Sequence, residues 1–222
     1  AVWADRFGCA NVKVTCHVLP DDAAFNGNVV VAVDSAGTIV AGDGYQGVKK
    51  LSASGPLMAK WGPAVPESAI MGVSLDAAGN ILLAESKNKI VKESPTGAPM
   101  AQWGSPGEAP HQLDNPNGVA ADAEGNVYVA DTDNQRIKKL SPSGEPLVQW
   151  GRCSAGDDMS CERFGIGDLP GQFAQPRHLA VNGRGEVVVA DHYNYRVQVY
   201  KAVPAWVNAM PAPDVMTAPS AG

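Results

Sequence analysis

The stretch GVAADAEGNVYVAD (118–131) contains the pattern that decides the fold. Two apolar runs, each as long as a short β-strand, flank a tetrapeptide that begins at Asp122 and ends at Gly125. Such a tetrapeptide favours a tight turn, because Gly accepts a positive φ without steric cost. The stretch therefore predicts two antiparallel strands joined by a tight turn.

The same pattern occurs in three other segments, which are VVVAVDSAGTIVAG (29–42), GVSLDAAGNILLAE (72–85) and, with Asn in place of Asp, HLAVNGRGEVVVAD (178–191). The turns begin at Asp34, Asp76, Asp122 and Asn182, so the spacings are 42 (76 minus 34), 46 (122 minus 76) and 60 (182 minus 122). Spacings of about 40 to 50 residues fit the blades of a β-propeller, and the last is lengthened by an insertion. We therefore expect an all-β fold with four blades between Phe25 and Lys201.

Each blade is expected to hold four antiparallel strands, named a to d. In the third repeat, strand a covers 119–121, strand b 126–130, strand c 136–140 and strand d 146–150. A second turn, SPSG (141–144), has counterparts in SASG (52–55) and SPTG (94–97). Strand d ends in Trp-Gly at Trp61, Trp103 and Trp150, where a large aromatic ring can fill the gap between neighbouring blades.

The segments 115–151 and 175–200 resemble the NHL repeat, and the resemblance covers most of 25–201. It implies a propeller, usually of six blades, and leaves function open, because such propellers include sensors, scaffolds, RNA binders and peptide-amidating lyases. Four blades are fewer than six. The chain is therefore either part of a longer ring, a smaller ring closed by a strand at Trp3, or an arc completed by another chain; we favour an incomplete or partner-completed ring.

Comparison of the repeats shows an acid and a base five residues apart at the corner between strands b and c. They are Asp131 with Arg136 and Asp191 with Arg196; the second repeat has Glu85 and Lys89, with one residue fewer between them. The aligned positions of the first repeat are Gly42 and Gly47, so both partners are absent there. The pattern predicts structural ion pairs at these corners.

The four cysteines lie in two long segments, 4–24 and 151–176. The simplest pairing joins Cys9 to Cys16 and Cys153 to Cys161, although four cysteines allow three connectivities. Disulfides indicate an extracytoplasmic location, that is secreted, periplasmic or in an organelle lumen. Reduced thiols and a site with zinc bound by four cysteines are the alternatives.

The b–c corners and the d–a connections are expected to share one face of the propeller, and this face contains the chemically varied segments. Function usually lies in such loops on a rigid scaffold. The candidate binding residues on this face are Asp43, Tyr45, Asp133, His178, His192 and Tyr193.

The sequence contains few features that are typical of an enzyme active site. There is no G-x-S-x-G elbow, phosphate loop or H-E-x-x-H motif, so no catalytic residue and no cofactor are predicted. His178, Asp191 and His192 are of the ligand types that zinc or calcium would take, by resemblance to the amidating lyases. The other histidines, His17 and His111, do not match that family's pattern.

The net charge of -6 argues against nucleic acid as the main partner, since binding to phosphates requires basic surface. Lysines do recur along the third strands, where they would form a modest basic stripe. No apolar run is long enough to cross a membrane as a helix. A start at Ala1 fits either a processed protein or a fragment.

Residues 202–222, rich in Ala and Pro, predict an extended tail that follows a propeller domain of 1–201. Such a tail would be held by a partner through Trp206, Met210, Val215 and Met216; alternatively, residues around 206–210 complete the fourth blade.

Two functional hypotheses result. The first is a non-catalytic protein-interaction propeller, a subunit or ectodomain of a larger extracytoplasmic assembly, whose partners are held by the tail and the long loops. The second is a propeller enzyme, a metal-dependent amidating lyase or a lactonase, with its site at the channel mouth.

Overall fold

The computed structural model describes Phe25, residues 28–151, Gly167 and residues 171–201. The four cysteines, the N-terminal strand expected at Trp3 and the tail at 202–222 lie outside these residues. The described chain forms fifteen strands and two short 3-10 turns. No helix among the described residues is long and apolar enough to cross a membrane.

The strands group into four antiparallel sheets in chain order, as the four repeats predict. Blades 1 to 3 have four strands each, and blade 4 has three described strands. Blade 1 consists of β1 (Val29–Val33), β2 (Ile39–Asp43), β3 (Val48–Leu51) and β4 (Leu57–Trp61); blade 2 of β5 (Ile70–Leu75), β6 (Ile81–Glu85), β7 (Lys89–Glu93) and β8 (Pro99–Trp103); blade 3 of β9 (Pro116–Ala121), β10 (Val127–Asp131), β11 (Arg136–Leu140) and β12 (Pro146–Trp150); blade 4 of β13 (Pro176–Val181), β14 (Val187–Asp191) and β15 (Arg196–Tyr200).

The first strand of each blade lies innermost, so the sheets are the blades of a β-propeller. Strand β1 packs on β5, β5 on β9, and β9 on β13. Among the described strands, β13 and β1 do not repeat this packing. Blades 1 and 4 are therefore the two ends of the series.

In each a–b turn, one side-chain oxygen of the first residue accepts a backbone hydrogen bond that closes the turn. In blade 3, Oδ1 of Asp122 accepts a hydrogen bond from the backbone N–H of Asn126 at 2.8 Å, and Gly125 adopts a φ of 82°. Asp34, Asp76 and Asn182 accept the same bond at 2.8, 2.9 and 3.0 Å. Asn can replace Asp because the bond requires an acceptor and not a charge.

Strand d joins each blade to the next through its tryptophan. The indole of Trp103 lies over the c–d turn of blade 3, where a Cβ added to Gly144 would come within 2.0 Å of the ring. Trp61 lies in the same way over Gly97 of blade 2, and its Nε1 donates to Glu93 at 2.8 Å. The predicted role of tryptophan between blades is confirmed.

Apolar cores fill the spaces between successive blades. Between blades 2 and 3, Leu82, Ala84 and Ile90 pack against Val127 and Val129. Between blades 3 and 4, Trp150 packs against Tyr200, with ring centroids 5.5 Å apart, and Phe173 joins this core. Burial on both faces explains why strand b is apolar at nearly every position.

The face of blade 1 that is turned away from blade 2 is less well covered. Val29, Val31 and Val33 alternate along β1 and are 41%, 60% and 59% exposed. The inner strand of blade 3, by contrast, is buried from Pro116 to Ala120. The series of blades thus ends at β1. The described residues leave the valine face of β1 more exposed than the inner strand of blade 3.

Candidate functional site

The b–c corners lie together at one end of the blades, and each is built on the acid that ends strand b. In blade 3, Oδ2 of Asp131 accepts hydrogen bonds from Nε of Arg136 at 2.6 Å and from Nδ2 of Asn134 at 3.0 Å. Its Oδ1 accepts one from the backbone N–H of Asp114 at 2.7 Å. One buried carboxylate therefore ties strand c and the d–a connection to its own blade.

Blade 4 repeats this network. Asp191 accepts from Nε of Arg196 at 2.8 Å, from Nδ2 of Asn194 at 2.8 Å and from the backbone N–H of Ala174 at 2.7 Å. The side chain of Gln198 adds a bond at 3.1 Å. The structure thus contains both Asp–Arg ion pairs that the five-residue spacing predicts.

Blade 1 corrects the alignment of the repeats. Its corner acid is Asp43, the last residue of β2, and not the aligned Gly42. The Asp43 carboxylate is fully buried and pairs with Nζ of Lys49 at 2.6 Å. Lys49 lies two positions beyond Gly47 and takes the place of the missing arginine. Asp43 is therefore part of a buried corner, and its prediction as an exposed binding residue is wrong.

Blade 2 departs from the pattern, since Glu85 and Lys89 form no ion pair in the described structure. Lys89 donates instead to the carbonyl oxygen of Gly104 at 2.5 Å. Glu85 is fully buried, and neither carboxylate oxygen has a hydrogen-bond partner of standard geometry. Desolvation raises the pKa of Glu85 to about 7, against the weaker opposing effect of the nearby Ser68 hydroxyl and Val65 amide.

The expected basic stripe does not form along the third strands. Lys49 and Lys138 are buried, and the Lys138 ammonium donates to the carbonyls of Pro110 and Gln112. Desolvation lowers the pKa of Lys138 to about 8. Lys92 and Lys139 pair with Asp76 and Asp122 at 2.8 and 3.2 Å.

Above the corners lie the exposed residues of this face. Tyr45 in blade 1 is 66% exposed, and Asp133 in blade 3 is also exposed. Burial raises the pKa of Asp133 above its usual value, and Asp114 and Asp131 add to the rise. Both side chains are available at the surface, and their binding role stays a prediction.

The structure brings His178, His192 and Tyr193 together on blade 4. The rings of His192 and Tyr193 lie 5.0 Å apart between centroids. Partial burial lowers the pKa of His178, and the nearby Arg177 and His192 lower it further. Three of the predicted residues therefore form one cluster on blade 4, whereas Tyr45 lies on blade 1.

Two residues of this surface were missed by sequence reasoning. The Arg177 guanidinium lies 5.9 Å from the centre of the Tyr193 ring, and Tyr195 is 92% exposed. Tyr195 has a φ of 52°, a left-handed conformation shared by Gln135 at the same corner of blade 3. Comparison of the repeats offered a signal, since Arg177 and Tyr195 replace Asn117 and Gln135.

Within the described residues, no three His, Cys, Asp or Glu side chains converge in a way that would hold a metal ion. Asp191, proposed beside the histidines, directs its carboxylate into the corner network instead. The opposite face has a central depression of about 800 Å³ lined by the a–b turns of all four blades, including Asp76, Asp122 and Asn182. These turn residues are already engaged in backbone hydrogen bonds.

Comparison with known proteins identifies the repeat. The model of the family described as NHL repeat matches residues 113–140 and 173–200. These two segments are NHL repeats. They contain strands b and c of blades 3 and 4 with both Asp–Arg corners.

One curated relative is the B-box type zinc finger protein ncl-1 of Caenorhabditis elegans, which is 51% identical over 39 residues. The match spans 17% of this chain and 5% of the nematode protein. It concerns a short stretch and not the whole of either chain.

Solved structures share the fold at low sequence identity. A streptogramin B lyase aligns with a TM-score of 0.59 at 17% identity, over 80% of this chain and 55% of that chain. The WD40 repeats of RRP9 give 0.63 at 12% identity, over 87% and 52%. Virginiamycin B lyase from Staphylococcus aureus gives 0.60 at 12% identity, over 86% and 55%. The chain thus spans about half the length of each of these propellers.

Proposed function

We propose that this NHL propeller is a non-catalytic protein-interaction module, a subunit or ectodomain of a larger extracytoplasmic assembly, and that it binds its partner through the b–c corner face. The observation that carries the proposal is the exposure of three tyrosines, Tyr45, Tyr193 and Tyr195, on this face. Tyrosine is enriched at protein interfaces because its ring buries a large apolar area and its hydroxyl can still form a hydrogen bond.

The corners beneath these tyrosines support the proposal. Tyr193 follows Asp191 by two residues, and its backbone N–H donates to the carbonyl of Ala174 at 3.0 Å. The buried Asp191–Arg196 pair therefore holds the loop that presents the ring. A rigid loop loses little conformational entropy when a partner binds.

Site-specific photo-cross-linking tests which face binds. A photoreactive amino acid replaces Tyr45, Tyr193 or Tyr195 in turn, and the purified protein is added to an extract of its native source. Matched controls carry the same group at Ser35, Glu124 or Arg184, which line the opposite face. We expect the same partner protein to be cross-linked from the corner positions and not from the controls. Equal labelling from both faces, or none from either, would contradict the proposal.

The extracytoplasmic part of the proposal depends on the cysteines, which lie outside the described residues. Two disulfides, within 9–16 and 153–161, would support it. Alkylation before reduction would then leave the intact mass unchanged, and alkylation after reduction would add four groups. Four groups added without reduction would contradict the proposed location.

An enzymatic role is the second candidate, a metal-dependent amidating lyase or a lactonase with its site at the channel mouth. The observation in its favour is the proximity of His178 to His192. The buried and fully engaged Asp191 carboxylate weighs against a metal site built on these three residues. Elemental analysis distinguishes the candidates, because the enzyme hypothesis requires stoichiometric zinc or calcium that is lost in the His178→Ala variant.

A further inference from the structure

Blade 4 carries basic and aromatic residues at four positions where blade 3 has Asn117, Gly118, Thr132 and Asp133. The register pairs His178 with Ala190, as it pairs Gly118 with Ala130. At Gly118 a Cβ would come within 2.7 Å of the carbonyl oxygen of Arg177, so blade 3 needs glycine to let blade 4 approach. In blade 4 the same position holds an exposed histidine, which inter-blade packing does not require.

The residues around His178 also differ from their equivalents in blade 3. Arg177 replaces Asn117, and His192 and Tyr193 replace Thr132 and Asp133 at the corner. Asn117 and Thr132 are buried and hydrogen-bonded to each other at 3.1 Å, whereas His192 and Tyr193 are exposed. The corner of blade 4 thus presents Arg177 and two imidazoles where blade 3 has a buried Asn–Thr hydrogen bond and the exposed Asp133.

Ring contacts and backbone hydrogen bonds hold Arg177, His192 and Tyr193 in place. The Tyr193 ring is close to both the Arg177 guanidinium, 5.9 Å from the ring centre, and the His192 ring, 5.0 Å away. The backbone N–H groups of His192 and Tyr193 donate to the carbonyls of Gln175 and Ala174 at 3.4 and 3.0 Å. The residues that present the cationic groups are therefore fixed relative to one another.

The electrostatics of the cluster favour an anionic ligand. Partial burial lowers the pKa of His178, and the nearby Arg177 and His192 lower it further, so a negative group among these side chains would offset both effects. Burial raises the pKa of Asp133, and the nearby Arg177 guanidinium opposes that rise. An anion placed among the three side chains would be stabilised by all of them.

We propose that Arg177, His178 and His192 bind a carboxylate side chain of an acidic peptide segment in the partner protein, with Tyr193 packing against that segment. The inference rests on the proposed function and adds the chemistry of the partner. A peptide is favoured over RNA because the cationic groups are confined to one corner of one blade. The lysines that would extend them into a groove along a phosphate backbone are buried or paired.

A binding assay with defined probes tests the proposal. Fluorescence anisotropy is measured with fluorescein-labelled octaglutamate, octaserine and an eight-nucleotide uridine RNA, at low salt. We expect octaglutamate to bind the wild-type protein and octaserine not to bind. Arg177→Gln and His178→Gln should each weaken octaglutamate binding about tenfold, the effect of losing one charge-assisted hydrogen bond.

The matched control is Arg184→Gln, which removes an exposed arginine of the same blade on the opposite face and should leave the affinity unchanged. Equal weakening by Arg184→Gln and Arg177→Gln would overturn the proposal, because it would show only a nonspecific charge effect. Tighter binding of the RNA than of octaglutamate would also overturn it. Partner cross-linking from Tyr45 without any effect of Arg177→Gln on octaglutamate would sustain the proposed function and overturn this inference alone.

Discussion

The buried Glu85 in blade 2 should make the propeller less stable as the pH rises. Its pKa is about 7 in the folded protein, against 4.5 for an ordinary glutamate. Each pKa unit corresponds to about 1.4 kcal/mol, so ionised Glu85 costs the folded state about 3 kcal/mol. Because the folded-state pKa lies above the unfolded value, the cost is absent below pH 4.5 and complete above pH 7.

Glu85→Gln removes the ionisation and keeps the shape of the side chain. We expect its free energy of unfolding to exceed that of the wild type by about 3 kcal/mol at pH 8 and by about 1 kcal/mol at pH 5, before a constant offset for the buried amide. Urea unfolding followed by tryptophan fluorescence measures the difference at both pH values. The test is the change in this difference between pH 5 and pH 8, because the constant offset is the same at both pH values.

Asp131→Asn is the matched control, because it alters the equivalent corner of blade 3. Asp131 is paired with Arg136, which is 1% exposed, so the substitution leaves a buried cation without its anion. We expect a loss of about 3 to 5 kcal/mol at pH 8, opposite in sign to the effect of Glu85→Gln. A stability difference between Glu85→Gln and wild type that is the same at pH 5 and pH 8 would refute the reasoning.

Three further changes test the packing of blades and turns by urea unfolding. Gly144→Ala should cost at least about 2 kcal/mol, because the new Cβ would lie 2.0 Å from the Trp103 ring at a φ of 89°; an unchanged midpoint would show that the ring moves freely. Trp103→Ala should cost about 3 kcal/mol through the lost contact with blade 3, and a loss below about 1 kcal/mol would contradict that role. Asn182→Ala should cost about 1 kcal/mol, since it removes the acceptor for the backbone N–H groups of Arg184 and Glu186, whereas Asn182→Asp should cost much less.

The sequence was sufficient for features that depend on residues close together in the chain. Strands β11 and β12 have the predicted bounds, and strand a of blade 3 begins three residues earlier than expected, at Pro116. The corners at Asp131 and Asp191 were equally readable, because acid and arginine are five residues apart and strand pairing sets them opposite each other.

Features that depend on contacts distant in the chain were not readable. Arg136 donates to the carbonyl oxygens of Glu108 and Gln112, more than twenty residues away, and such acceptors leave no side-chain pattern. Sequence comparison missed the pair of Asp43 and Lys49, because both residues lie one or two positions beyond the aligned Gly42 and Gly47. The loss of the Glu85–Lys89 pair was hidden because the Gly104 carbonyl competes for the lysine.

What the sequence determined by itself is the repeat: four hairpins with an oxygen acceptor and a glycine at fixed places, and a tryptophan between blades. Local turn geometry and strand periodicity require these residues, so they recur in each repeat. The tertiary structure alone decided that Asp43 is paired and Glu85 is not, which lysines are buried, and that Arg177 joins His178, His192 and Tyr193. Those outcomes depend on how close neighbouring blades approach and on the access of water to each charge, and neither quantity is local in the chain.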